Sequence, residues 1–140
     1  MRAAFLLGAV LLAAGCALGQ PGERYGNGPL LPSLQASAVG DTVFFVFQVT
    51  NTSTEPVELH FRSGQTYDFA VMDGDRTVWR WSDDQMFTQA LRQEVLAPGA
   101  TLRFEESWRP PAGLQQPYVA VGRLVAENRP VEQRMNIRLP

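Results

Sequence analysis

The stretch from Phe47 to Phe87 carries short runs in which apolar and polar residues alternate: Val57, Leu59 and Phe61, then Tyr67, Phe69 and Val71, then Trp79 and Trp81 following Val78. Asn, Ser, Gly and Pro bound these runs. Side chains of a strand point alternately to opposite faces, so the pattern dictates half-buried antiparallel strands. The second and third runs flank Asp73-Gly74-Asp75. A hairpin loop with an odd number of residues sets Phe69 opposite Trp79 and Tyr67 opposite Trp81, with Asp68 meeting Arg80 on the other face. The four rings then share one face, where aromatic cross-strand pairs add roughly 0.2–1 kcal/mol each. A two-residue loop without a bulge would throw the rings onto opposite faces, so the odd loop is expected.

Around this centre the chain continues in the same style. An edge strand is expected from Leu34 through Ala38, closed by a Gly40-Asp41 turn. Thr42 to Thr50 follows with Val43, Phe44, Phe45, Val46, Phe47 and Val49, a near-continuous apolar run that predicts a central strand buried on both faces. Glu94 to Leu96 is turned by Ala97-Pro98-Gly99-Ala100, with Pro and Gly at the central positions of a type II turn. Leu102, Phe104 and Trp108 continue the core face, with Glu106 as its odd polar member. Tyr118 to Ala126 and Gln133 to Leu139 supply the last strands. Asp83 to Leu91 is the exception: it predicts one or two helical turns with Ser82 or Asp83 as N-cap and Met86, Phe87, Ala90 and Leu91 on one side. About eight strands, closely spaced turn signals and no long helix give an all-β fold, an Ig-like antiparallel β-sandwich.

The N-terminus differs in kind. Arg2 precedes an apolar run from Ala3 to Ala14, too short for a comfortable bilayer span and readable as an export signal over residues 1–19. Leu12-Ala13-Ala14-Gly15-Cys16 resembles a bacterial lipobox, which makes Cys16 a candidate lipid-attachment residue. Ala17-Leu18-Gly19 also suits an ordinary signal peptidase, so a soluble secreted product is the competing outcome. Residues 20–33, rich in Gly and Pro, read as a flexible tether to a domain over 34–140. The expected location is therefore outside the cytoplasm, as a lipoprotein of the periplasm or cell exterior or as a secreted protein, with membrane contact only through the lipid.

Composition removes several functions. A net charge of −2 argues against a nucleic-acid partner. Cys16 is the one cysteine, so no internal disulfide forms and no cysteine-rich metal site exists. His60 is the one histidine and lacks a Ser-His-Asp spacing, so no catalytic residue, metal site or cofactor is assigned. Asp73, Asp75, Asp83 and Asp84 do not match an EF-hand loop and suit turns and helix capping. Asn51-Thr52-Ser53 fits the glycosylation sequon but serves more simply as a turn. Trp79 and Trp81 would stack on sugars if exposed, yet their register argues for the core.

The segments VTNTSTEPVELHFRSGQTYDFAVMD, VWRWSDDQMFTQAL and LAPGATLRFEESW are similar to the domain of the BsuPI family, named for a bacterial intracellular proteinase inhibitor. Its most specific parts are Ser63, Gly64 and Gln65 with Tyr67, Asp68 and Phe69, then Trp79, Arg80, Trp81 and Ser82 with Phe87 and Gln89. The resemblance implies a β-sandwich that acts as a proteinase inhibitor or protein-binding module. The export signal, in which the chain departs from the intracellular name-giving member, puts it in the bacterial cell envelope, and the scarcity of titratable groups argues against an enzyme. Its partner would be a subtilisin-like serine protease, with Met86 or Phe87 as the candidate contact, or another envelope protein. Against that contact role stands an inward position for both side chains, plugging one end of the sandwich. The alternative function is a non-inhibitory, Ig-like structural or assembly domain of the envelope that pairs through an edge strand.

Overall fold

Alternate burial runs through strand after strand of the computed structural model, which describes residues 28–114 and 117–140. The expected export signal, Cys16 and most of the tether lie outside the described residues. The strands are β1 (Leu30–Val39), β2 (Thr42–Asn51), β3 (Val57–Phe61), β4 (Tyr67–Asp73), β5 (Arg76–Arg80), β6 (Arg92–Leu96), β7 (Thr101–Trp108), β8 (Tyr118–Leu124) and β9 (Val131–Ile137), with one short 3-10 turn over Trp81–Asp84. Every pairing is antiparallel. Two sheets, β1-β2-β7 and β5-β4-β8-β9, form the layers of the all-β, Ig-like sandwich, and β3-β6 makes a small third sheet. Phe45, Phe47 and Val49 from one layer and Phe69, Val71 and Leu124 from the other are fully buried, and Leu59 and Phe61 of β3 join the same core. Burial of that apolar surface at about 25 cal/mol per Å² is the main stabilising term.

The first strand begins earlier than the expected Leu34. Leu30 is buried and pairs with Asn51, so residues 30–33 are strand and not tether. Pro32 is tolerated there because β1 is an edge of its sheet, where a missing N–H costs no ladder bond. A second difference concerns β2. Its inner residues Val43, Phe45, Phe47 and Val49 are buried, whereas Phe44 is exposed and Val46 and Gln48 are half-buried. The strand is central, but its outer face meets solvent, as antiparallel sandwich sheets allow.

The β4-β5 hairpin departs most from expectation. Its loop is the two-residue Gly74-Asp75, flanked by the Asp73–Arg76 pair. Gly74 has φ +58° and Asp75 does not have positive φ, which is the demand of a type II′ turn. The register then shifts: Met72 faces Thr77 but Val71 faces Trp79, leaving Val78 as an extra residue. This bulge restores the phase that the short loop would have lost. Trp79 consequently lies opposite Val71, and Arg80 opposite Ala70, each two residues from the expected partner. The rings still meet on one face, with Tyr67 and Trp81 stacked at 4.6 Å.

Candidate functional site

Asp68 is the second residue of β4, with its side chain almost wholly buried. A buried carboxylate is costly unless hydrogen-bonded, and this one is. Its Oδ1 accepts from the Phe69 amide at 2.9 Å and the Ser82 amide at 3.1 Å, and its Oδ2 accepts from Ser82 Oγ at 2.6 Å. Arg80 Nε stands 4.0 Å from Oδ2 and makes no hydrogen bond. The expected Asp68–Arg80 pair is thus a loose ion pair, and Ser82 is the residue that Asp68 binds. The chain leaves β5 at this point and turns through Trp81–Asp84.

That turn replaces the helix expected over 83–91. Arg80 occupies the N-cap position without a side-chain cap bond, and the turn ends at Gln85, whose amide donates to Ser82 O at 3.1 Å. Gln85 is extended, with φ −110° and ψ 155°, and residues 85–91 form no helix or strand. The cap comes from across the fold: Asp68 binds the Ser82 amide, so neither Ser82 nor Asp83 caps a helix of its own.

Aromatic rings carry the turn. Trp81 stacks on Tyr67 at 4.6 Å, Tyr67 on Phe104 of β7 at 4.4 Å, and Phe87 packs on Trp81 at 5.9 Å. In parallel, Trp79 lies between Phe45 at 5.4 Å and Trp108 at 5.2 Å. Trp79 and Trp81 are both half-buried, and their rings bridge β5 and its adjoining turn to β7 along one side of the sandwich. Tyr67 donates its hydroxyl to Glu106 Oε1, so the odd polar residue of the β7 core face is a partner for the phenol. Burial and then that carboxylate push the Tyr67 phenol well above its ordinary value.

The loop that follows is strapped on both sides. Phe87 turns inward to Trp81, while Met86 is 99% exposed. The two therefore separate, where a helix would have put them on one side. The Thr88 carbonyl accepts from the Gly64 amide at 2.9 Å. Gly64 belongs to a tight turn in which Ser63 Oγ accepts from the Gln65 amide at 3.1 Å and Gln65 Nε2 donates to the Tyr67 carbonyl at 3.1 Å. Arg92 locks that turn from the start of β6. Its guanidinium donates to Thr66 Oγ1 at 2.7 Å and to the Ser63 carbonyl at 3.4 Å, pairs with Glu94, and covers the Phe61 ring at 4.4 Å.

The structure thus gathers Ser63, Gly64 and Gln65 behind the loop, Asp68, Phe69, Trp79, Arg80 and Trp81 beneath its start, and Met86 at its tip. Thr88, Arg92 and Glu106 are the members sequence reasoning missed. Thr88 acts through its carbonyl, which no side-chain pattern reveals, and Arg92 acts on residues about 30 positions earlier in the chain. Glu106 alone left a signal, as a carboxylate on an apolar face.

The fold and site together are an antiparallel β-sandwich carrying a strapped surface loop, extended where it begins at Gln85 and with Met86 exposed. A family model described as BsuPI, intracellular proteinase inhibitor, matches residues 30–129. The chain belongs to that family. A search of curated proteins finds no match.

Proposed function

We propose that this chain inhibits a subtilisin-like serine protease by placing Met86 in the enzyme's apolar specificity pocket. The observation that carries the reading is the contrast between Met86, fully exposed, and its neighbours Phe87 and Thr88, both held. Proteases take their substrates as extended strands, and the backbone entering the loop at Gln85 is already extended. A loop fixed before the encounter loses little freedom on binding, and each immobilised side chain otherwise costs about 0.5–1.5 kcal/mol. With no disulfide, the stiffness comes from Asp68 on one side and from Gly64 and Arg92 on the other. The same straps hold both ends in place after any cut beside Met86, which keeps the loop in the enzyme and slows turnover.

The test is titration of the full chain against subtilisin-like and trypsin-like proteases, with gel analysis of the chain itself. Stoichiometric inhibition of the former and slow cleavage are expected, and Met86→Asp abolishes inhibition without changing the melting temperature. A chain that survives the proteases without affecting them overturns the reading and leaves a structural or assembly module.

Export of the chain is part of the same proposal. Arg2, the apolar run to Ala14 and the placement of Cys16 support a lipidated protein outside the cytoplasm, although the family description reads intracellular. Labelling of the expressed chain by radioactive palmitate, lost in Cys16→Ser, is the expected result. Absence of label in the wild type counts against it.

A further inference from the structure

The β7 strand is a free edge. Among the described residues it pairs with β2 alone, and no other backbone group bonds residues 101–108 from the far side. Unpaired strand edges are templates for another strand, and folded proteins blunt them with Pro, bulges, charge or shortness. Other edges here are blunted or covered: β1 carries Pro32, β5 has five residues, a bulge and Arg at both ends, β3 and β6 have five residues each, and the seven-residue β9, which has no Pro, Gly or bulge, lies beside β1. By contrast, β7 has eight residues, Thr101-Leu-Arg-Phe-Glu-Glu-Ser-Trp108, without Pro, Gly or bulge. Charge is its one defence, and that charge is arranged to complement itself.

We propose that two copies of this chain pair antiparallel along β7, about a two-fold axis through Phe104. In that register Arg103 of each copy faces Glu105 of the other, and Thr101 faces Ser107. All four side chains lie on the exposed outer face. On the inner face the half-buried Phe104 meets Phe104 of the second copy, an aromatic cross-strand pair at the centre of the contact. The registers to either side fail. A slip of two residues sets Arg103 against Arg103 or Glu105 against Glu105, and like charges directly opposite are destabilising. A slip of one turns the second copy's inner face outward. Within each copy Arg103 and Glu105 already pair with each other, so association exchanges two exposed ion pairs, one per copy, for two reciprocal ones between copies. The product is a continuous six-stranded sheet, β1-β2-β7 joined to its symmetry mate.

Sedimentation velocity of the full chain over a wide concentration range tests the pairing. A reversible dimer is expected. Arg103→Glu and Glu105→Arg each weaken it at least about tenfold, because every altered pair occurs twice about the axis. The double reversal, which restores opposite charges in both pairs, recovers the dimer. Melting temperatures stay near wild type because both side chains are exposed. A wild-type chain that remains monomeric, a dimer indifferent to either single reversal, or a double reversal that fails to recover association overturns the proposal.

Discussion

The Gly64 amide donates to the Thr88 carbonyl at 2.9 Å, and a Cβ on Gly64 would stand 2.7 Å from Thr88 Oγ1 and 3.3 Å from its backbone nitrogen. The approach is closer than any other residue permits, so the 85–91 loop is seated where it is because residue 64 has no side chain. Gly64→Ala must displace Thr88 and lengthen or break the bond. Inhibition weakens about tenfold as the loop regains freedom that must be lost again on binding. Cleavage within 85–91 accelerates in parallel. Adding Thr88→Ala removes the nearest clash and recovers part of the loss, which inhibition constants for the three variants will show.

Met86 and Phe87 are adjacent in sequence and opposite in role. Phe87→Ala removes a half-buried ring from Trp81 and lowers stability by about 1–3 kcal/mol in urea denaturation. Met86→Ala touches a side chain with no contacts to lose and stays within about 0.5 kcal/mol of wild type. Equal destabilisation by the two would contradict the inward and outward placement.

Asn51 is completely buried, which removes the sequon from glycosylation and gives the residue a structural task. Its Nδ2 donates to the carbonyls of Glu55 at 2.8 Å and Leu96 at 3.0 Å, and its Oδ1 accepts from the Ser53 amide and hydroxyl at 3.0 and 2.7 Å. Asn51→Ala takes the Asn51 bonds from the Leu96 carbonyl and the Ser53 amide, while the Glu55 carbonyl keeps the Ser53 hydroxyl at 3.0 Å, and the cost is about 1–3 kcal/mol for each group left unpaired and buried. Thermal unfolding should place this among the most damaging polar substitutions in the chain. Asn51→Asp is also damaging, since it turns a donor toward two carbonyls into an acceptor.

Much of this fold was legible because strand periodicity and turn residues act locally. The Gly40-Asp41 and Pro98-Gly99 turns lie between the expected strands, and Ala100 closes the second by donating to Ala97 at 3.0 Å. The shared face of Tyr67, Phe69, Trp79 and Trp81 was also legible, but their register was not. Two compensating changes, a shorter loop and a bulge, preserve a face while moving every pairing along it. The adjacency of Val78 and Trp79, two apolar residues in a row, is the trace the bulge leaves in the sequence. The 83–91 segment was misread because its helical spacing is real, while Asp68 and Trp81 hold the chain in another path. Local propensity is a weak prior against such tertiary contacts.

Acid sensitivity follows from Glu132. Burial alone would raise its carboxyl, but hydrogen bonds from Arg134 Nε at 2.9 Å and Arg123 Nε at 2.5 Å outweigh it and hold the group below its ordinary 4.5. A carboxyl depressed in the folded state contributes stability above its unfolded value, and that contribution is lost as pH falls through the folded one. Stability should therefore drop below about pH 4.5, and Glu132→Gln should flatten this part of the profile while lowering stability at neutral pH. A variant whose acid profile parallels wild type would show that Glu132 is not the group responsible.

Tyr67 gives the opposite sign at the other end of the scale. Burial and the Glu106 carboxylate raise its phenol above the ordinary 10.0, so the folded chain keeps a proton that the unfolded chain releases. More protons are then bound when folded, and stability falls as pH rises above about 10 toward the folded value. Tyr67→Phe should remove that decline, with some loss at neutral pH from stranding Glu106 on the inner face of β7. The ionisation of Tyr67 is the difference between the tyrosinate absorbance titrations of wild type and Tyr67→Phe. Its midpoint should lie well above 10 and coincide with loss of the near-ultraviolet dichroism of the ring stack. Glu106→Gln should lower that midpoint only in part, because burial between Phe104 and Trp81 is the larger cause and remains. A difference titration centred at 10 in the folded chain would mean that the phenol meets water and that the stack is open at this edge.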